Sequence, residues 1–312
     1  MRYGLPYMGS KNKIAEWVLS YLPQAENFYD LFCGGCAITH CAITQGKYRN
    51  YYINDIKGEM PQGFVDCIRG KYINDTRWIS HEDFNKNKGK GDLLIDLCFS
   101  FGNNWRKGYA YAKDIEPIKK ALHYAVLLKD YSLLSELINI DLKPLETIES
   151  IDERYSAIKK IVGQNSKNIQ LENFNRLQHL ERLVRIGKLN SYERLNTLNN
   201  IKECKSYIHP TSLSYDQVDI KPNSVIYCDI PYKSTSKYNE IDFDYDKFYK
   251  WCLSQTEPVF ISEYEMPESD FICIAAKHKT VSLCATDNSG KSVEKIFIPK
   301  HQILNKPLTL FD

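Results

Sequence analysis

The segment that most limits the fold lies near the N-terminus, where "NFYDLF", "CGGC", "AITHCAITQG" and "NYYI" follow one another across residues 27–53. Aromatic and apolar runs set off by glycines predict a short buried strand, a tight loop, a helix closed by Gly46, and a second strand ending at Asn54 and Asp55. Two strands joined through a helix pair in parallel, and a parallel sheet needs helices over its faces. The chain is therefore expected to be α/β.

Upstream, "SKNKIAEWVLSYLP" predicts a helix capped by Ser10, with Ile14, Trp17, Val18 and Tyr21 on one face and Pro23 ending it. The middle, residues 60–205, changes character. "EPIKKALHYAVLLKDYSLLSELINI" and "FNRLQHLERLVRIGKLNSYERLNTL" carry helical periodicity. Sheet character resumes with "SVIYC", a helix around "YDKFYKWCLSQ", and the strand "PVFIS". "DFICIAA", "KTVSLCA" and "VEKIFIP" are expected as closing antiparallel strands, with "TDNSGKS" as a turn. Two domains follow: an α/β domain formed by 1–59 and 206–312, and a helical insertion, 60–205.

Composition narrows the class. At 312 residues the chain is long enough for a substantial core. No run approaches the roughly 18 apolar residues of a membrane helix, and "MRYGLPYMGSKNK" lacks signal-peptide character. A cytoplasmic protein is expected, with its ten cysteines as reduced thiols. Cys33 and Cys36 have Cys-x-x-Cys spacing, but no second pair lies at finger-like spacing. They are read as small buried residues, and no metal site is expected. "NSGKS" has Ala285 where a phosphate loop needs glycine, so it is set aside.

Charge is uneven. From Arg154 to Lys205 there are eleven Lys and Arg against four Glu, whereas from Asp229 to Asp270 ten acids face four bases. A basic middle suits either an anionic partner or a solvated helical surface.

Three strand ends carry chemistry. Ligands in open α/β sheets bind beyond the carboxyl ends of the strands. After "YDLF", Gly34 and Gly35 let backbone approach a ligand closely. Asp55, ending the second strand, suits the hydroxyls of a ribose. "VIYCDIPY" ends on Asp229, followed by Ile230, Pro231 and Tyr232, and faces the reacting partner.

The ordered set "YMGSK" (7–11), "YDLFCGG" (29–35), "IND" (53–55), a helical insertion and "DIPY" (229–232) resembles the Dam-type N6-adenine DNA methyltransferases, including phage-like members. The resemblance implies a Rossmann-like S-adenosylmethionine-dependent sheet with a helical target-recognition insertion. It implies that Tyr7 and Lys11 line the cofactor and target pocket. Phe32, Gly34 and Gly35 would hold the methionine part of S-adenosylmethionine and Asp55 its ribose, with Asp30 also a cofactor-binding residue. Asp229, also placed beside the cofactor, and the carbonyl of residue 230 would accept hydrogen bonds from the adenine amine. Pro231 counts with them among the catalytic residues, and Tyr232 would stack on the flipped base.

Two positions depart from the family pattern. Ile230 replaces a proline, and Cys36 stands where a glycine is usual. They leave open an inactive DNA-binding regulator of the same fold. A methyltransferase acting on RNA adenine or on cytosine N4 also stays open.

In "FGNNWRKGYAY", Arg106 and Lys107 suit phosphates, and Asn103, Asn104 and Tyr109 are candidates for contact with DNA, the two amides at base edges; an ordinary surface turn with buried aromatics stays equally open. The protein is expected to act on DNA as a monomer, in a bacterial or phage-infected cell. The tail "PLTLF" resembles peptides that insert into the bacterial sliding clamp. Leu308, Leu310 and Phe311 are therefore open either to that contact or to docking on the protein's own core.

Overall fold

A computed structural model describes residues 3–7, 9–165, 195, 198, 201, 207–233, 243–280 and 291–303. The clamp-like tail and the turn "TDNSGKS", apart from its last two residues, lie outside the described residues. The chain divides into two compact units. One comprises Met1–Leu5, Gly9–Lys71 and Leu198–Asp312, and the other Pro6–Met8 and Tyr72–Thr197.

The first unit holds a seven-stranded sheet in the order β3-β2-β1-β4-β5-β7-β6. Its strands are β1 (Asn27–Asp30), β2 (Asn50–Asn54), β3 (Ile208–Thr211), β4 (Ser224–Asp229), β5 (Val259–Glu263), β6 (Phe271–Thr280) and β7 (Lys291–Pro299). β1 pairs in parallel with β2 and β4, β2 with β3, and β4 with β5, while β7 runs antiparallel between β5 and β6. Strand order reverses between β1 and β4, so their carboxyl ends open onto one crevice. Below it, Leu31, Ile226, Cys228, Ile230, Phe248 and Ile261 belong to one buried cluster. The alternation Ile226, Cys228, Ile230 is the period of two that directs a strand's apolar side chains to one face.

Sequence expectation and structure differ at three elements. "SYIHPT" was not expected as a strand, yet it supplies β3. Pro210 is compatible because β3 is the sheet edge, where a missing N–H costs no ladder bond. "KTVSLCA" is not a strand of its own within the described residues, because Lys279 and Thr280 continue β6. Ser10 does not cap the first helix: α1 (Ala15–Tyr21) starts after Ile14, with no side-chain cap. Lys11 therefore lies in the turn before α1, where its carbonyl accepts from Ile14 N at 2.9 Å.

The first unit also contains α2 (Ala37–Thr44), α3 (Glu59–Ile68) and a helix here called α8 (Tyr245–Ser254). The stretch Gly9–Lys71, and so α3, belongs to this unit. At the start of α3, a Cβ on Gly58 would come within 2.7 Å of Ser212 Cβ, so the missing side chain permits this close approach.

The second unit is helical. It contains α4 (His81–Asn87), α5 (Glu116–His123), α6 (Ser132–Ile138) and α7 (Ile151–Asn165). Ser80 caps α4, accepting from Asp83 N at 3.0 Å. Ile118, Leu122, Ala125, Leu134, Ile158 and Val162 are among its buried core residues. Arg154, counted above among the basic residues, is instead buried: its guanidinium donates to the carbonyls of Val126 at 2.8 Å and Ile148 at 3.1 Å.

Candidate active site

The loop after β1 is built by its own backbone. Cys33 N donates to Asn54 O at 3.0 Å, Cys36 N to Cys33 O at 2.6 Å, and Gly34 N to Asp55 Oδ2 at 2.9 Å. Gly34 and Cys36 both have positive φ, at 44° and 55°. That explains why glycine suits position 36: a side chain in the left-handed region costs roughly 1–2 kcal/mol. The Cys36 and Cys33 sulfurs are 3.4 Å apart, and both residues are buried. Gly4 closes the loop from beneath, since Leu5 N donates to Gly35 O at 2.6 Å.

Asp55 anchors this loop to β2. Its carboxylate accepts from Gly34 N and from Lys57 N, each at 2.9 Å. Burial raises its pKa, and the two backbone donors pull it back. Asn54, which the sequence marks only as a strand end, uses all its amide capacity: Nδ2 donates to the carbonyls of Leu31 and Leu213, and Oδ1 accepts from Thr211 Oγ1 and Leu213 N. It ties the ends of β1, β2 and β3 together. Asp30 is 1 % exposed and accepts from Thr39 Oγ1 at 2.7 Å. Burial, with Asp229 and Asp55 nearby, pushes its pKa up to about 7. Phe32 packs against the rings of Tyr215, Phe243 and Phe248.

At the end of β4, Asp229 Oδ1 lies 2.7 Å from Lys11 Nζ. Burial alone would push Lys11 down, but Asp229 and Glu294 outweigh it and hold its pKa above the ordinary lysine value. The Lys11 Nζ lies 4.6 Å from the centroid of the Tyr232 ring. Tyr232 is buried, donates to Glu294 Oε2 at 2.6 Å, and meets the Tyr264 ring edge-on. Burial and the nearby Asp229 and Glu294 raise its pKa far enough to keep it a hydroxyl. Ile230 points its side chain into the core, and the carbonyl of Pro231 accepts from Tyr245 Oη at 2.9 Å. Glu263, ending β5, accepts from Lys233 N and Tyr264 N, and burial pushes its pKa up to about 7.

The structure thus brings Lys11, Asp229, Tyr232 and two further acids together. Glu263 had a signal in sequence, because "PVFISE" ends on an acid just as "VIYCD" does. Glu294 had a weaker one: an acid inside an otherwise apolar strand. Tyr7 is half-buried and falls in the second unit.

A family model for D12 class N6 adenine-specific DNA methyltransferases matches residues 7–251. The chain belongs to that family. No curated protein matches it. This methyltransferase acts on DNA, at the N6 position of adenine. Its sheet is consistent with the S-adenosylmethionine-dependent methyltransferase fold, and its family implies use of that cofactor in general.

The DNA-contact candidates of the methyltransferase lie in its second unit, on a loop closed by the antiparallel bridge between Ser100 and Tyr109. Asn103 Nδ2 donates to Leu97 O at 2.8 Å, and Asn104 Oδ1 accepts from Arg106 N at 3.1 Å. Both amides thus help to build the loop. Tyr109 also anchors it, donating to Ile79 O at 2.6 Å and stacking on His81. The exposed side chains are Phe101, Arg106 and Lys107, with the Arg106 guanidinium 4.6 Å from the Trp105 ring centroid.

Proposed function

We propose that this methyltransferase takes an adenine turned out of DNA, holds its amine on Asp229 and on the carbonyl of residue 230, and uses S-adenosylmethionine as methyl donor. The observation that carries this reading is a partly exposed carboxylate at the end of β4, beside the glycine loop of β1, at the reversal of strand order. An aryl amine is a poor nucleophile because its lone pair is delocalised into the ring. Two acceptors on its hydrogens favour rehybridisation and aim the lone pair. The base must leave the duplex because its amine is otherwise inaccessible.

The residues fit this donor. Gly34 and Gly35 present backbone without side chains, and a Cβ on Gly4 would come within 2.3 Å of Gly35 O, so the loop is packed closely from beneath. Asp55 uses two acceptor positions on backbone N–H groups and retains others for ribose hydroxyls. Beside it Ile56 is 59 % exposed, an apolar face for a purine. When bound, S-adenosylmethionine supplies the methyl group. In the second unit, Arg106 and Lys107 would meet phosphates, and Phe101 offers a stacking surface. No helix among the described residues is long and apolar enough to cross a membrane, which is compatible with action on DNA in the cytoplasm.

The test is long-read sequencing of DNA from cells expressing the protein or its Asp229→Ala variant. Modified adenines in a defined context are expected with the parent and none with the variant, whose circular dichroism should show the parent's secondary structure. Unmodified DNA with the parent, or modification persisting in the variant, overturns the reading.

A further inference from the structure

Lys11 occupies both features that an incoming adenine needs. Its ammonium is ion-paired with Asp229 Oδ1 at 2.7 Å and stands over the Tyr232 ring at 4.6 Å. The ammonium therefore competes with the amine for that oxygen and with the base for that face of the ring. The Lys11 side chain is only 7 % exposed, so leaving its carboxylate would strand a buried charge unless a second anion received it.

A second anion is in place. Glu294 Oε2 lies 4.0 Å from Lys11 Nζ, and these two carboxylates are the only ones among the described residues within that distance. A charge-assisted contact needs about 2.8 Å, so the ammonium has little more than an ångström to travel. Glu294 already accepts from Tyr232 Oη, yet a carboxylate has about four acceptor positions and can hold both partners. The two acids also differ in access: the Asp229 side chain is 21 % exposed and that of Glu294 2 %. Asp229 therefore faces the entering base and Glu294 lies behind the lysine. Glu263 is a poorer receiver, because it makes no ion pair with Lys11 within 4.0 Å and burial favours its protonated form near neutrality.

We propose that Glu294 is a positioning residue that takes the Lys11 ammonium from Asp229 as the adenine enters, releasing Asp229 to the amine while the lysine charge stays paired. This rests on Asp229 being the acceptor of the amine. Glu294 lies on β7, beyond residue 251 where the family match ends.

The test uses the purified full chain, radiolabelled S-adenosylmethionine and plasmid DNA free of adenine methylation. Glu294→Gln keeps an acceptor for Tyr232 Oη but cannot neutralise Lys11. Its kcat should fall at least about tenfold, the scale of one charge-assisted hydrogen bond, with KM for DNA and for the cofactor within about twofold. Glu294→Asp keeps the charge and should retain more kcat than Glu294→Gln. Tyr232→Phe should lose less kcat than Glu294→Gln. A role confined to holding the Tyr232 ring predicts the reverse: Gln near the parent, and Tyr232→Phe the more damaging. A kcat for Glu294→Gln within about twofold of the parent, Asp no better than Gln, or Tyr232→Phe losing at least as much as Gln, overturns the proposal. Asp229→Ala in the same assay separates the two failures. If it remains active, the reading of the site falls. If it is inactive while Glu294→Gln is not impaired, only the role of Glu294 falls.

Discussion

Asp30 and Ile230 are both buried beside the strand ends that frame the site. The Asp30 carboxyl is pushed up to about 7 from its ordinary 3.8, chiefly by burial. Across that window the folded chain keeps a proton that the unfolded chain has lost, so stability falls as pH rises through it and levels off above. Asp30→Asn retains an acceptor for Thr39 and removes the titration. Relative to the parent, the variant should therefore gain stability between about pH 5 and about pH 8, read by thermal unfolding at both. An unchanged difference would mean that the acid is ionised throughout. The Ile230 side chain belongs to the buried core cluster below the sheet. Ile230→Ala should then destabilise by about 2–5 kcal/mol. Methyl transfer per folded molecule should stay within about tenfold, equivalent to about 1.4 kcal/mol of barrier. Denaturant midpoints and single-turnover rates separate the two effects, and a collapse in rate at full folding would assign the side chain to the site itself.

The glycine loop depends on an element that carries no chemistry. Gly4 has φ +70°, and a Cβ there would meet Gly35 O at 2.3 Å and Ala37 N at 2.7 Å. Both obstacles are backbone, so Gly4→Ala must displace either residues 3–5 or the loop. A stability loss of about 1–3 kcal/mol is expected, together with weaker S-adenosylmethionine binding by calorimetry. Unaltered cofactor affinity would separate the loop from this support. Nothing in "MRYGLPY" announces that role, because it arises from packing against a segment some thirty residues away. The strand ends were legible for the opposite reason. An apolar run stopping at Asp229 or Asp55 shows its change of environment locally, and parallel topology dictates that such ends share one edge. β3 was not legible, since four residues containing Pro210 have little strand character until β2 offers them an edge. Glu294 shows why the site was only partly readable: its partners, Tyr232 and Lys11, stand far from it in sequence and meet it through the sheet.

For the whole molecule, a formal net charge of +2 leaves little overall attraction to DNA, so affinity must come from how the charge is distributed. The burial of Arg154 shows that a count of basic residues overstates what a phosphate can meet. Lys159 and Lys160 on α7 are exposed, as are Arg106 and Lys107 at the loop between Ser100 and Tyr109. In that loop Asn103, Asn104 and Tyr109 hold the backbone while the cations project, an arrangement suited to positioning the duplex rather than naming its bases. Changing Arg106 and Lys107 together to alanine should weaken DNA binding by a similar factor on every sequence. The slope of log affinity against log salt should fall by about two, one for each phosphate that is no longer neutralised. Titrations at several salt concentrations measure the slope, and sequencing of modified DNA shows whether the adenine context is retained. A changed context with an unchanged slope would mean that these two side chains read base edges, and that the phosphates are met elsewhere in the second unit.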